Sequence, residues 1–228
     1  MPELPQNYQN VNNAILECAK INKCSVRLLV VSKTQPIEAV RACYALGQLA
    51  FGENYVQEAV AKIQALSGLG IEWHLIGPLQ SNKCKIVAEY FDWVQTLDRE
   101  KIVSALSQYR PAHLPPLNIL IQVNVDDESS KSGCSVLAVS TLADSISKYP
   151  NLRLRGLMAI PNPRLSNNGH AFAIMQELFK ALQSRFSSVD TLSMGMSDDF
   201  PLAIAHGANL VRIGSALFGP RQKNQEVL

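Results

Sequence analysis

Short apolar runs alternate with stretches whose apolar residues recur at helical spacing, and this rhythm continues from Arg27 almost to the end of the chain. A run that is apolar on both faces suits a parallel strand covered by helices, and an i, i+3, i+4, i+7 stripe suits the covering helix. Strands are expected over Arg27–Ser32, Leu49–Gly52, Glu72–Gly77, Trp93–Thr96, Asn118–Val125, Leu152–Met158, Thr191–Ser193 and Leu210–Ile213. An opening helix should bury Val11, Ala14, Ile15 and Cys18 against the outside or bottom of the fold. Later helical faces are clearest at Ile102, Ala105, Leu106 and Tyr109, at Val139, Leu142, Ala143 and Ile146, and at Met175, Leu178, Phe179, Leu182 and Phe186. Eight β runs, each followed by a helix-compatible stretch, predict an α/β (β/α)8 TIM-type barrel with an extra N-terminal helix. An open doubly wound sheet is the alternative, but no GxGxxG follows the first strand.

At 228 residues the chain suits a single barrel domain over 1–228. Neither the proline-rich connection 111–116 nor the longer loop 161–169 reads as a domain boundary. The charges, 21 Lys and Arg against 19 Asp and Glu, lie in no block of one sign, which points away from nucleic acid and membrane surfaces and toward a small ligand. The opening MPELPQNYQN lacks a basic region followed by an apolar one, and no apolar stretch is long enough to span a bilayer, so a soluble, cytoplasmic protein is expected. The five cysteines are scattered without a CxxC pair, which argues against disulfides and zinc. The surface hydrophobes form no patch that marks a partner, and a monomer is expected.

Lys33 changes this bland picture. It follows the first strand in VVSKTQP, with Pro36 placed for the first turn of a helix, so it sits on the rim where barrels bind ligands. A desolvated lysine there can attack a carbonyl. Two late segments suggest a phosphate site. In LSMGMSDD, Ser193, Gly195, Met196 and Ser197 form a small-residue turn into a helix near Asp198 or Asp199, and in VRIGSALFG, Gly214 and Ser215 open a further helix. Backbone N–H groups and hydroxyls at such turns cradle anions, although each segment alone would serve equally as a capped βα turn. Arg212, between Val211 and Ile213, should be buried and must find acceptors, if only in a structural salt bridge. Asn54, at a strand end, often only closes a turn, and His74, isolated between Trp73 and Leu75, is more often a hydrogen-bonded core residue; as ring-stacking or hydroxyl-binding groups they matter only for an aromatic ligand. An amine, a phosphate cradle and a buried arginine together describe a pocket for a phosphorylated aldehyde, which pyridoxal 5′-phosphate satisfies.

The segments VVSKTQP, FGENYVQE, EWHLIGPLQSNK, NVDDESSKSG, RGLMAIP, LSMGMSDD and VRIGSALFG, spread from about residue 30 to 219, resemble the pyridoxal phosphate homeostasis protein family, single-domain relatives of the alanine racemase N-terminal barrel. The resemblance implies that Lys33 forms the aldimine with pyridoxal 5′-phosphate, that Arg212 faces the pyridine nitrogen, and that Asn54 and His74 lie near the ring. It places Ser193, Met196, Ser197, Gly214 and Ser215 around the phosphate, with Ser215 where many relatives carry threonine. The implied function is cofactor binding in vitamin B6 homeostasis and delivery, with transient contact with recipient pyridoxal phosphate enzymes. An arginine at the pyridine nitrogen weakens the ring as an electron sink, and the chain stops at Leu228 without the extra β domain from which alanine racemases draw an opposing tyrosine. No dedicated catalysis is therefore expected. A weak amino-acid racemase is the alternative, and a Schiff-base aldolase is disfavoured because LMAIP on strand six carries no lysine. Lys131 in DDESSKSG reads as a charge balancing Asp126, Asp127 and Glu128, or as a second acceptor during handover.

Overall fold

The computed structural model describes residues 3–128, 131–162 and 169–219. Eight parallel strands close into a barrel in sequence order: β1 Arg27–Val31, β2 Ala50–Glu53, β3 Glu72–Leu75, β4 Trp93–Leu97, β5 Leu117–Val123, β6 Leu152–Ala159, β7 Thr191–Ser193 and β8 Leu210–Ile213. Closure is made by β1 against β8, where Leu29 stands opposite Arg212 and Val30 opposite Ile213. The strands expected from sequence all form, with ends shifted by a residue or two. Around them lie α1 Leu4–Ile21, α2 Ile37–Ala45, α3 Val56–Ala65, α4 Cys84–Tyr90, α5 Glu100–Tyr109, α6 Val139–Ser147, α7 His170–Gln183, α8 Phe200–Ala205 and α9 Ser215–Phe218. Among the described residues no helix is long and apolar enough to cross a membrane. The 161–169 loop lies largely outside the described residues.

Alternation along the strands sorts the core. Leu28 and Val30 join the large cluster between barrel and helices, whereas Leu29 belongs with Ala50, Ile76 and Leu210 in a separate one. A third cluster, Trp93, Leu120 and Met158, fills another part of the interior. These inner groups match the layered filling of a barrel by side chains from neighbouring strands.

Two predicted helix faces need correction. In α1 the buried residues are Leu4, Val11, Ile15 and Ala19, while Ala14 is exposed. The stripe runs through Ala19, one turn beyond Ile15, because α1 lies across α2, α8 and α9 and Asn7 reaches the Leu217 carbonyl at 3.1 Å. In α5 Val103 is buried in place of Tyr109, which ends the helix in solvent. Of the five cysteines, Cys43, Cys84 and Cys134 pack inside, while Cys24 is exposed.

The loop carrying Lys33 is fastened by a buried charge cluster. The Lys62 ammonium, 3% exposed on α3, donates to the Ser32 carbonyl at 2.7 Å, to Glu53 Oε1 at 2.7 Å and to Glu58 Oε1 at 2.6 Å. Ser32 Oγ donates to the same Glu53 oxygen at 2.6 Å, and the Thr34 amide donates to Glu58 at 2.6 Å. Burial raises the Glu53 pKa, an effect that Lys62 partly offsets, so the carboxylate relies on its ammonium. Lys62→Met is expected to cost about 3–5 kcal/mol by stranding that buried charge, measured by urea denaturation. The double variant Lys62→Met/Glu53→Gln should recover most of the loss.

Candidate functional site

Loops after β1, β7 and β8 meet at the carboxyl ends of the strands and enclose a cavity of about 220 Å³. Lys33, Met196, Ser197, Arg212, Gly214 and Ser215 all line it, so most of the residues singled out from sequence share one space. Lys33 is half-buried, two residues past the end of β1, on a backbone held at Ser32 and Thr34. The small-residue turn after β7 depends on Gly195, whose φ of +94° suits glycine and where a Cβ would come within 2.7 Å of Ala203 Cβ. Asp199 caps the turn by accepting the Met196 amide at 2.6 Å. Across the cavity mouth the Ser197 and Ser215 hydroxyls lie 3.1 Å apart.

Arg212 enters the cavity from inside the barrel and is 4% exposed. Its Nη1 donates to the Ser193 carbonyl and to Ser193 Oγ, both at 2.8 Å, and its Nη2 donates to the Ala159 carbonyl at 2.8 Å. The acceptors are neutral, and the alternative of a structural salt bridge does not hold: among the described residues no carboxylate lies within 4.0 Å of it. Burial lowers its pKa to about 10, with Asp199 pulling the other way from a distance. A cation held only by neutral oxygens leaves a positive field at the cavity floor.

Ser193 and His74 lie beneath this cavity and do not line it. His74, 0% exposed on β3, stacks on Trp93 at 5.0 Å, and its ring nitrogens meet Glu72 Oε1 at 2.7 Å and Gln95 Nε2 at 2.9 Å. One face of the imidazole is thus covered by an indole. Burial lowers the His74 pKa despite the opposing pull of Glu72. Burial also works against the Glu72 carboxylate, but hydrogen bonds and charge from His74 and Arg27 outweigh it and bring its pKa down to about 2. Gln95, a lone amide in the buried strand WVQTL, escaped the sequence reading because a single polar residue leaves no periodic signal.

Asn54 lines a neighbouring cavity of about 290 Å³ together with Thr96, Gln122, Asn124, Lys131 and Ile160. Its Oδ1 is buried without a hydrogen-bond partner. Gly77 fixes its position, since a Cβ there would stand 2.2 Å from the Asn54 carbonyl oxygen. Lys131 pairs with Glu128 at 2.8 Å and Asp126 at 3.4 Å, in keeping with charge balance. Among the described residues no cluster of His, Cys, Asp or Glu is placed to hold a metal ion.

A closed parallel barrel with a rim lysine after its first strand and a buried arginine in its last is a barrel of the alanine racemase N-terminal class, and that family matches residues 4–222. Within it, the chain belongs to the pyridoxal phosphate homeostasis protein family. It is 54% identical over 206 residues to the pyridoxal phosphate homeostasis protein of Haemophilus influenzae, covering 88% of this chain and 87% of that one. PipY of Synechococcus elongatus, solved with PLP bound, is 32% identical with a TM-score of 0.82 over 95% of this chain and all of its own. A structure of an unknown protein from Bifidobacterium adolescentis gives a TM-score of 0.87 at 28% identity, covering 95% of both chains.

The pairing of buried His74 with half-buried Glu72 makes acid stability predictable. His74 resists protonation when folded, so the unfolded chain takes up the proton first and stability falls as pH drops below the ordinary histidine value of about 6.5. The depressed Glu72 carboxyl contributes stability that is complete above an unfolded value of about 4.3 and is lost as pH falls toward its folded value. Thermal midpoints recorded from pH 7 downward should show both stages, and His74→Gln should flatten the upper one.

Proposed function

We propose that the cavity beside Lys33 binds pyridoxal 5′-phosphate and that the protein keeps and hands over this cofactor in vitamin B6 homeostasis. The observation that carries the reading is Arg212, a buried cation with no ion-pair partner among the described residues, opening onto the same cavity as a rim lysine and two converging serine hydroxyls. The donor set fits the group. Lys33 supplies the amine for the aldehyde carbon, Ser197 and Ser215 supply donors to the phosphate beside Met196 and Gly214, and Arg212 supplies a donor to the pyridine nitrogen. Asn54 Oδ1, lacking a donor in its neighbouring cavity, is available to a hydroxyl on the ring. Ser193 acts beneath the floor by holding Arg212, and His74 lies deeper, bonded to Gln95 and Glu72. Membership of a homeostasis family and the PLP-bound PipY relative support the same assignment.

When bound, the cofactor supplies an aldehyde that stores electrophilic character and a ring that accepts electrons. The chain's own residues limit the second property, since a guanidinium donates a hydrogen bond to the ring nitrogen and disfavours its protonation. A racemase also needs a second acid or base facing the lysine. Among the described residues lining the two cavities, the titratable side chains besides Lys33 and Arg212 are Asp198, on the helix-opening turn after β7, and Lys131, already paired with Asp126 and Glu128. We therefore read the protein as a cofactor carrier, a single barrel domain over 1–228 that works as a cytoplasmic monomer and meets recipient enzymes transiently. Lys131 and Asp198 give the weak-racemase alternative its footholds among the described residues, and racemisation by purified protein that vanishes in Lys33→Ala and in Lys131→Ala or Asp198→Ala would establish it.

Purified protein incubated with pyridoxal 5′-phosphate should gain an absorbance band near the visible edge, and borohydride reduction followed by peptide mapping should find the label on Lys33. Lys33→Ala should lose the band and keep the melting temperature; an unchanged spectrum removes Lys33 from the role. The pair Ser197→Ala/Ser215→Ala should weaken pyridoxal 5′-phosphate on the order of tenfold or more while leaving pyridoxal affinity unchanged, as expected for lost phosphate hydrogen bonds.

A further inference from the structure

Arg212 begins a line of hydrogen bonds that leaves the cavity and crosses the barrel interior. Ser193 Oγ receives an Arg212 N–H at 2.8 Å and lies 2.7 Å from Gln95 Oε1. The Gln95 amide nitrogen lies 2.9 Å from His74 Nδ1, and His74 Nε2 lies 2.7 Å from Glu72 Oε1, which also accepts from Arg27 at 2.6 Å. Ser193, Gln95 and His74 are each 0% exposed, so water offers no substitute partner.

The two ends fix the direction of the whole line. A guanidinium only donates and a carboxylate only accepts. Ser193 must therefore pass its hydroxyl hydrogen to Gln95 Oε1, Gln95 must donate its amide hydrogen to His74 Nδ1, and His74 must carry its hydrogen on Nε2 for Glu72. Ser193, Gln95 and His74 each accept on one side and donate on the other, and Gln95 is the central link that joins the Arg212 half of the line to the His74 half. Replacing buried polar groups by well-packed apolar ones is often neutral or stabilising, so stability alone is a weak reason for such a network.

We propose that Gln95 and His74 are positioning residues that tie the orientation and charge of Arg212, and through it the electronic state of the ring held in the cavity, to Glu72 at the opposite mouth of the barrel. The effect on the ring rests on the pyridoxal phosphate reading; the coupling of Arg212 to His74 does not.

The test therefore has two arms. In cofactor-free protein, ¹⁵N NMR should find His74 neutral with its hydrogen on Nε2, and Arg212→Lys should move the His74 ring resonances although the two side chains do not touch. In protein loaded with pyridoxal 5′-phosphate, Gln95→Leu should shift the absorbance maximum and weaken binding on the order of tenfold, the equivalent of one buried hydrogen bond. Gln95→Glu, matched in shape, should also shift the spectrum and drive His74 to the doubly protonated form, because a carboxylate cannot donate to Nδ1. Far-UV circular dichroism confirms that each variant is folded, and Ser193→Ala, a smaller change, should give the same direction of spectral shift if Gln95→Leu does not fold. A hydrogen on His74 Nδ1, or His74 resonances indifferent to Arg212→Lys, overturns the coupling. Wild-type spectra in both Gln95→Glu and Ser193→Ala overturn the influence on the ring. Responsive His74 resonances in a wild-type protein that binds no pyridoxal 5′-phosphate uphold the coupling and place the failure in the cofactor reading.

Discussion

A polar side chain placed inside a closed barrel is cut off from water and is costly without a partner there, and that constraint organises the middle of this molecule. The ladder runs from β1 around to β8 and back, leaving no open edge at which stray donors could be satisfied. The chain nevertheless puts Arg212, Ser193, Gln95 and His74 among Leu, Met and Trp side chains. Each has a partner, and the resulting order is directional. The floor of the rim cavity is consequently a part of the barrel core and shares its rigidity, while the hydroxyls and the lysine above it belong to loops.

Those loops are held by the same means. Lys62 brings a full charge under the rim and ties together the Ser32 carbonyl, Glu53 and Glu58, and Glu58 in turn receives the Thr34 amide. The backbone on both sides of Lys33 is thus set by buried groups from the next βα unit, so that motion of the lysine is motion of its side chain. Gly77 serves the adjoining cavity in the same way, through an approach to Asn54 that no larger residue permits.

Most of the architecture was legible because burial on two faces leaves a plain mark in sequence: TLS and LVRI are strands over the very residues their apolar character suggests. The rim residues were legible because each sits next to such a run. What escaped were features whose surroundings, not spacing, give them meaning. Glu58 and Lys62 have the i, i+4 spacing of an ordinary surface pair, yet the lysine is buried by the turn of α3 against β2. His74 sits near the end of β3 and reads as a candidate ligand contact, but the inward direction of its side chain sends it below the cavity to Trp93. Arg212 was expected to need acceptors, and which ones could not be known before β6 and β7 were placed beside it.

The stack of His74 on Trp93 has a practical side. Both tryptophans lie on neighbouring strands, Trp73 beside Phe51 and Trp93 between the His74 ring and the Arg155 guanidinium, which lies 4.6 Å from its centroid. An excited indole is sensitive to a proton gained by an imidazole in face-to-face contact. The intrinsic fluorescence of this chain is accordingly a built-in optical gauge, read out from the middle of the barrel and not from its surface.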